Sequence, residues 1–154
     1  MTEVDWNTYV SHIDTMIAQI KGSNIKYDVV IGIGRGGLVP ALYISKMLNI
    51  PMLVIFAQRY KDKEPSGETR MSHLTGLHTL QYTDMILLVD DIADGGVTLS
   101  DVKGVLNGLN FKSLHTGVVY KRSTSRIEPD YIGVLLAEDC GWLKFPYDRD
   151  NKVI

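Results

Sequence analysis

Apolar and polar positions recur along this chain with two different periods, and the changes of period predict the elements. Trp6, Tyr9, Val10, Ile13, Met16, Ile17 and Ile20 return every three or four positions, which predicts an amphipathic helix ended by Lys21-Gly22-Ser23-Asn24. Asp28 to Gly34 then reads as a buried strand. A helix with Leu38, Leu42, Ser45 and Leu48 on its inner face follows, closing at Asn49 to Pro51, and Met52 to Ala57 reads as a second strand. Met85 to Val89 is an apolar run too brief for a globular helix, so it predicts another buried strand. Leu99, Val102, Leu106 and Leu109 succeed it at helical spacing, and Leu114 to Tyr120 and Ile132 to Ala137 predict two more strands. Strands alternating with helices across short connections predict right-handed βαβ units. The expected fold is α/β, a doubly wound parallel sheet of four or five strands.

Two segments escape this pattern. From Gln58 to Asp84 the periodicity lapses over a stretch carrying Arg59, Tyr60, Lys61, Lys63, Pro65, Gly67, Arg70 and His73. A connection of that length inside a domain is a functional lid, a disordered insert, or a plain surface loop holding a weak hairpin. The tail from Asp139 to Asp148 is aromatic and interrupted by Pro146, and reads as neither strand nor helix.

Composition narrows the class. A length of 154 residues predicts one domain over the whole chain, able to bury about two-thirds of its unfolded surface. Sixteen Lys and Arg against eighteen Asp and Glu give a net charge of −2, so no global positive field recruits nucleic acid. The apolar runs are too short to cross a bilayer. The acidic start, Met-Thr-Glu-Val-Asp-Trp, lacks the features of a secretory signal, and the lone Cys140 excludes an internal disulfide, so a reducing cytoplasm is expected.

The chemistry concentrates in Ile-Leu-Leu-Val-Asp-Asp-Ile-Ala-Asp-Gly-Gly-Val-Thr, residues 86–98. A buried strand ends in the carboxylates of Asp90 and Asp91, then Asp94, Gly95, Gly96, Val97 and Thr98 lead into a helix. Such a loop offers unpaired N–H groups at the positive end of a helix dipole, which suits a phosphate. The adjoining carboxylates suit a divalent cation or sugar hydroxyls. A second glycine loop, Gly32-Ile33-Gly34-Arg35-Gly36-Gly37, matches the dinucleotide fingerprint G-x-G-x-x-G. That reading wants a carboxylate at the end of the next strand, where Phe56-Ala57-Gln58 supplies none. Four histidines, His12, His73, His78 and His115, lie on separate elements without ligand spacing, so no zinc site is expected. Cys140 reads as a packing thiol.

Residues 86–98 closely resemble the phosphoribosyl-diphosphate signature of the type I phosphoribosyltransferases: four apolar residues, two acids, two variable positions, an acid, and a small-residue loop closed by Thr. One departure is Gly95, where the family carries Thr or Ser, so the 5′-phosphate cradle loses a hydroxyl. Arg35-Gly36-Gly37-Leu38-Val39-Pro40 is similar to the diphosphate loop of the short microbial 6-oxopurine enzymes, and that likeness implies a cis peptide between Gly34 and Arg35. Trp142-Leu143-x-Phe-Pro-Tyr-Asp resembles the same family's Trp-Ile-x-Phe-Pro-Trp-Asp/Glu segment, with Leu143 for Ile and Tyr147 for Trp. The resemblance covers roughly residues 28–148 and is weakest across the lid, which it places at 58–84, with an aromatic hood at 138–150.

The resemblance implies a Mg²⁺-dependent enzyme that joins phosphoribosyl diphosphate to hypoxanthine, guanine or xanthine. Asp90 and Asp91 would hold the metal directly or through water, with Asp148 as a further candidate. Arg35, Gly36 and Gly37 would take the diphosphate, and Gly95, Gly96, Val97 and Thr98 the 5′-phosphate. By its residue type Asp94 is either an N-cap or a general base; the resemblance selects the base and also counts Asp94, with Asp90 and Asp91, among the residues that bind phosphoribosyl diphosphate. Lys121, by itself a solvated lysine at a strand end, becomes the donor to the purine 6-oxo group. Trp142, by itself a core aromatic, becomes the residue stacking on the purine, with Leu143 beside it. Partners would be phosphoribosyl diphosphate and a purine base, without nucleic acid or membrane, in a homodimer or homotetramer. Two rivals stand beside this: a phosphoribosyl-diphosphate sensor on the same fold, and an enzyme for another base such as adenine.

Overall fold

The first helix shows how periodicity becomes packing. In the computed structural model, which describes residues 1–59, 69–72 and 76–149, a short strand β1 (Thr2–Glu3) precedes helix α1 (Trp6–Gly22). The Asp5 side chain accepts from the Thr8 amide at 2.7 Å and caps α1. Tyr9, Ile13, Met16, Ile17 and Ile20 lie on its buried face, while Trp6 at the start stays half exposed. Next come β2 (Val29–Gly34), α2 (Leu38–Leu48), β3 (Met52–Arg59), β4 (Thr69–Ser72) and a 3₁₀ turn over Leu77–Thr79. The second half holds β5 (Met85–Ala93), α3 (Val97–Asn107), β6 (Ser113–Arg122), β7 (Tyr131–Leu136) and β8 (Leu143–Lys144).

Among the described residues six strands form the main sheet in the order β4-β3-β2-β5-β6-β7. The five from β3 to β7 pair parallel, the upper end of the expected range. The sixth, β4, pairs antiparallel to β3 with Phe56 opposite Ser72 and Ala57 opposite Met71. It arises in the stretch where periodicity lapses, and a four-residue edge strand is too short to register as a period of two. The remaining lid positions, 60–68 and 73–75, lie outside the described residues.

Continuous apolar runs, rather than alternating ones, are what a sheet covered on both faces requires. Val30, Leu87, Val89 and Val119 face α1 and α2, whereas Ile31, Ile33, Ile55, Ile86, Leu88 and Val118 face Leu99, Val102 and Leu106 of α3. Two expectations shift by a position or two. The inner face of α2 is Pro40, Ala41 and Ile44, and Leu42 is exposed. Leu109 lies beyond the end of α3 and is exposed as well. A helix apolar nearly all round leaves its periodicity ambiguous, so its orientation on the sheet decides which residues are covered.

The tail also departs from expectation. Leu143–Lys144 pairs parallel with Thr2–Glu3, and Phe145 and Tyr147 turn inward to stack at 5.4 Å between ring centroids. Tyr9 meets both edge-on at 5.8 Å and stacks on Tyr120 at 6.1 Å. Aromatic pairs of this kind contribute about 0.5–1.5 kcal/mol each beyond burial, and here they fasten the tail to α1 and β6.

Candidate active site

Strand order places the site. From β2 the chain turns one way to β3, and β5 lies on the other side of β2, so the crossover direction reverses between β2 and β5. In open α/β sheets that reversal leaves a crevice at the carboxyl ends of the two strands. The Arg35 turn leaves β2 there and the Asp94 loop leaves β5. Pairing between β2 and β5 stops at Gly32 and Val89, so Asp90 and Asp91 begin where β5 parts from its neighbour.

One cavity of about 330 Å³ is lined by Arg35, Asp90, Asp91, Asp94 and the loop from Gly95 to Thr98. Its residues come from two loops nearly sixty positions apart, and both halves of the sequence signature open into the same space. The Gly34–Arg35 peptide is cis. Helix α3 starts at Val97 with Gly96 as its N-cap at φ 82° and no side-chain cap, so Asp94 is not the N-cap of that helix. Gly95 has nothing within 4 Å of where a Cβ would stand, so the missing hydroxyl leaves open space.

The carboxylate pair is tightly held. Asp91 Oδ1 accepts from the Ile92 amide at 2.7 Å, and Asp90 Oδ1 accepts from the Asp91 amide at 2.9 Å. The Tyr147 hydroxyl donates to Asp91 Oδ2 at 2.7 Å. Asp91 in turn fills the space above Gly36, where a Cβ would fall 2.0 Å from Oδ2. Burial, then the neighbouring Asp91 charge, drives the Asp90 carboxyl well above the usual carboxylate range. Burial raises Asp91 too, against the pull of the Tyr147 hydroxyl. Two carboxylates that among the described residues have no cationic partner fit a hard divalent cation, which commonly takes one or two carboxylates plus substrate and water oxygens. Tyr147 is itself pushed up by burial and by the Asp91 charge, so it remains a proton donor.

Asp94 pairs with Arg122, whose Nε lies 2.6 Å from Asp94 Oδ1. The same guanidinium donates to the carbonyls of Cys140 and Gly141. Lys121, beside it at the end of β6, is buried and stands opposite Ala93, a cavity residue. Its Nζ is 3.1 Å from Glu128 and donates to the Arg122 carbonyl at 3.4 Å. Among the described residues two of the three ammonium donors are thus engaged, and Lys121 is not one of the residues that line the cavity.

The remaining candidates fall elsewhere. Trp142 is 67% exposed, and the Leu143 side chain is buried in the core. Asp148 closes a turn in the tail, accepting from the Phe145 amide at 2.8 Å, and does not line the cavity. Its position in the motif suggested a ligand; its geometry gives it a structural task.

Two residues of the site escaped the sequence reading. Arg122 sits in a basic run with no local mark of its partner. Tyr147 did carry a signal, because exchanging the family's Trp for Tyr adds a hydroxyl to an otherwise apolar segment.

The phosphoribosyl transferase domain model matches residues 4–147. A xanthine-guanine phosphoribosyltransferase of Desulfotalea psychrophila is 31% identical over 124 residues, spanning 80% of this chain and 71% of the relative. One from Chromohalobacter salexigens is 29% identical over 123 residues, spanning 77% and 67%. The crystal structure of a purine phosphoribosyltransferase from Pyrococcus horikoshii superposes with a TM-score of 0.79 at 25% identity, covering 99% of this chain and 97% of that one. With its signature loops meeting in one crevice, and with a family match along nearly all of its length, the chain belongs to the type I phosphoribosyltransferases and is an enzyme of that family.

Proposed function

We propose that this enzyme transfers the 5-phosphoribosyl group of phosphoribosyl diphosphate to a 6-oxopurine, hypoxanthine, guanine or xanthine, with Mg²⁺. The observation that carries this is the shared cavity, which sets Arg35, the Asp90–Asp91 pair and the amides from Gly95 to Thr98 around one space. A sugar phosphorylated at both ends is the ligand that uses all three at once. The xanthine-guanine names of the relatives support the purine half.

In the reaction the purine nitrogen forms a bond to ribose C1 while the C1–O bond breaks and its electron pair leaves on the diphosphate. Positive charge grows on the ring and negative charge on the leaving group, so positioning and charge stabilisation carry the catalysis. The Arg35 guanidinium and the Gly36 amide receive the diphosphate; the Gly37 amide, a further candidate by sequence, instead donates to the Ile33 carbonyl at 2.8 Å and closes the turn. The Gly95, Gly96, Val97 and Thr98 amides, with the Thr98 hydroxyl, hold the 5′-phosphate at the α3 N-terminus. Asp94 takes the ring proton of the incoming purine. The Lys121 ammonium donates to the 6-oxo group, which disfavours adenine because an ammonium cannot accept from an amino group. Trp142 stacks on the base, and Leu143 contributes through its backbone because its side chain is occupied in the core. Asp90 and Asp91 are the residues that hold Mg²⁺, which when bound supplies Lewis-acid charge neutralisation and a template for the diphosphate.

Among the described residues no helix is long and apolar enough to cross a membrane. We place the enzyme in the cytoplasm as a homodimer or homotetramer, following its family resemblance. Incubation with phosphoribosyl diphosphate, Mg²⁺ and each radiolabelled base tests the reading: nucleotide is expected from at least one of the three 6-oxopurines and not from adenine. Absence of product from all three rejects it, and a phosphoribosyl-diphosphate affinity retained in that case would favour the sensor.

A further inference from the structure

Arg122 is the last residue of β6, in register with Leu136 of β7, and the next residue, Ser123, donates its amide to the Leu136 carbonyl at 3.0 Å. Its backbone is therefore part of the sheet, and its side chain is only 14% exposed. From that fixed base the guanidinium reaches two separate loops. Nε meets Asp94 Oδ1 at 2.6 Å in the loop after β5, and the terminal nitrogens donate to the consecutive carbonyls of Cys140 and Gly141, with 3.0 Å to Gly141. Trp142 follows directly in sequence.

We propose that Arg122 is a positioning residue that fixes the proton-accepting carboxylate of Asp94 and the segment carrying Trp142 relative to each other, and so sets the slot into which the purine fits. The inference rests on the reading of Asp94 and Trp142 given above and adds to it the residue that holds them together. Both groups lie outside the main sheet, and the Trp142 carbonyl accepts from the Thr2 amide at 2.8 Å. Asp94 is 57% exposed in a glycine-rich loop, and Cys140 and Gly141 lie between β7 and β8. A planar fork with several directed donors can bind a carboxylate on one edge and two carbonyls on the other, which a single ammonium cannot do. Among the described residues Asp94 is engaged through Oδ1, which leaves Oδ2 for the purine proton. A site built on loops but anchored from a strand end keeps its geometry when the loops move.

The test compares Arg122→Lys, Arg122→Gln, Asp94→Asn and the double variant Arg122→Lys/Asp94→Asn. In Arg122→Lys the charge stays and the fork is lost. It is expected to lower kcat about tenfold and to raise KM for the purine about tenfold, in keeping with the cost of misplacing reacting groups by a fraction of an ångström. KM for phosphoribosyl diphosphate is expected to change less than KM for the purine, because, of the groups around the shared cavity, Arg122 engages Asp94 and not the amides assigned to the phosphates. In the Asp94→Asn background the same change is expected to alter kcat by less than about twofold, because its effect on proton transfer travels through a carboxylate already removed, while the rise in purine KM that travels through the Trp142 segment remains. Calorimetric binding of the purine nucleoside monophosphate is expected to weaken about tenfold in Arg122→Lys and Arg122→Gln alike. Should Arg122→Gln fail to fold, Arg122→Lys carries the comparison alone. Unchanged kcat and purine KM in Arg122→Lys, or kcat losses that simply add in the double variant, overturn the inference. A wild-type enzyme that makes no purine nucleotide overturns the underlying reading instead.

Discussion

Replacing Gly36 by Ala puts a single methyl group where the Asp91 carboxylate now sits. The added Cβ would lie 2.0 Å from Oδ2, 2.3 Å from Cγ and 2.8 Å from Oδ1, whereas ordinary contact begins near 3.4 Å. Either the carboxylate or the Arg35 turn must retreat by about 1.4 Å, the difference between those distances. Asp91 has little freedom to yield, because Oδ2 accepts from Tyr147 and Oδ1 from the Ile92 amide, both at 2.7 Å. Rotating it away gives up at least one hydrogen bond to a charged group, about 1.5–3 kcal/mol. Displacing a binding group by about 1 Å costs on the order of a hundredfold in rate. Gly36→Ala is therefore expected to lower kcat/KM for phosphoribosyl diphosphate about a hundredfold and to weaken calorimetric binding of phosphoribosyl diphosphate with Mg²⁺, in a chain that still melts cooperatively. Binding and turnover within threefold of wild type would refute the reasoning, because they would show that the carboxylate can move without loss and that its close approach to the turn serves no purpose.

Gly95 offers the opposite case, since a Cβ there meets open space. Gly95→Thr restores the hydroxyl found in the family and is expected to tighten phosphoribosyl diphosphate binding by about tenfold, the scale of one charge-assisted hydrogen bond; Gly95→Ala, lacking the hydroxyl, should do nothing, and equal effects in the two would exclude the hydroxyl as the cause. Tyr147→Phe removes the donor to Asp91 and leaves the aromatic packing, so calorimetry should show weaker Mg²⁺-dependent substrate binding, with a melting temperature lowered by only a few degrees, about 2–4 °C per kcal/mol lost. Without a divalent cation, the raised carboxyls of Asp90 and Asp91 mean that the folded chain binds more protons than the unfolded one above the ordinary carboxylate pKa of about 4. This contribution to stability is full below that value and is lost as pH rises through the raised native values. Melting at pH 5 should therefore gain relative to pH 7 from this pair, Asp90→Asn should raise the pH 7 melting temperature while abolishing turnover, and Mg²⁺ should stabilise the wild type more at pH 7 than at pH 5; a wild-type pH difference unaltered in Asp90→Asn would contradict the assignment.

Much of the fold was written locally. A strand buried on both faces is a continuous apolar run, a helix lying on it repeats every three to four residues, and the loop joining them must carry small residues and acids if it is to meet a phosphate and a cation. Those patterns lie within a few positions of one another, so the five parallel strands, the three main helices among the described residues and the loop of Asp94 to Thr98 could be read from the letters, while the cis peptide before Arg35 followed from the family resemblance. What the letters left open were matters of orientation and distance. The inner face of α2 depended on how the helix rolls against β2, and β4 existed only through pairing with β3.

The site divides along the same line. Its two halves are local motifs, but their meeting is decided by the reversal of strand order between β2 and β5. Asp94 finds Arg122 across 28 positions, and Tyr147 finds Asp91 across 56. Sequence by itself determined which chemical groups this protein carries in its two loop motifs. Tertiary structure alone decided that one arginine and one tyrosine hold them, because a contact between elements depends on sheet register and on the packing of the tail, and no short-range pattern encodes either.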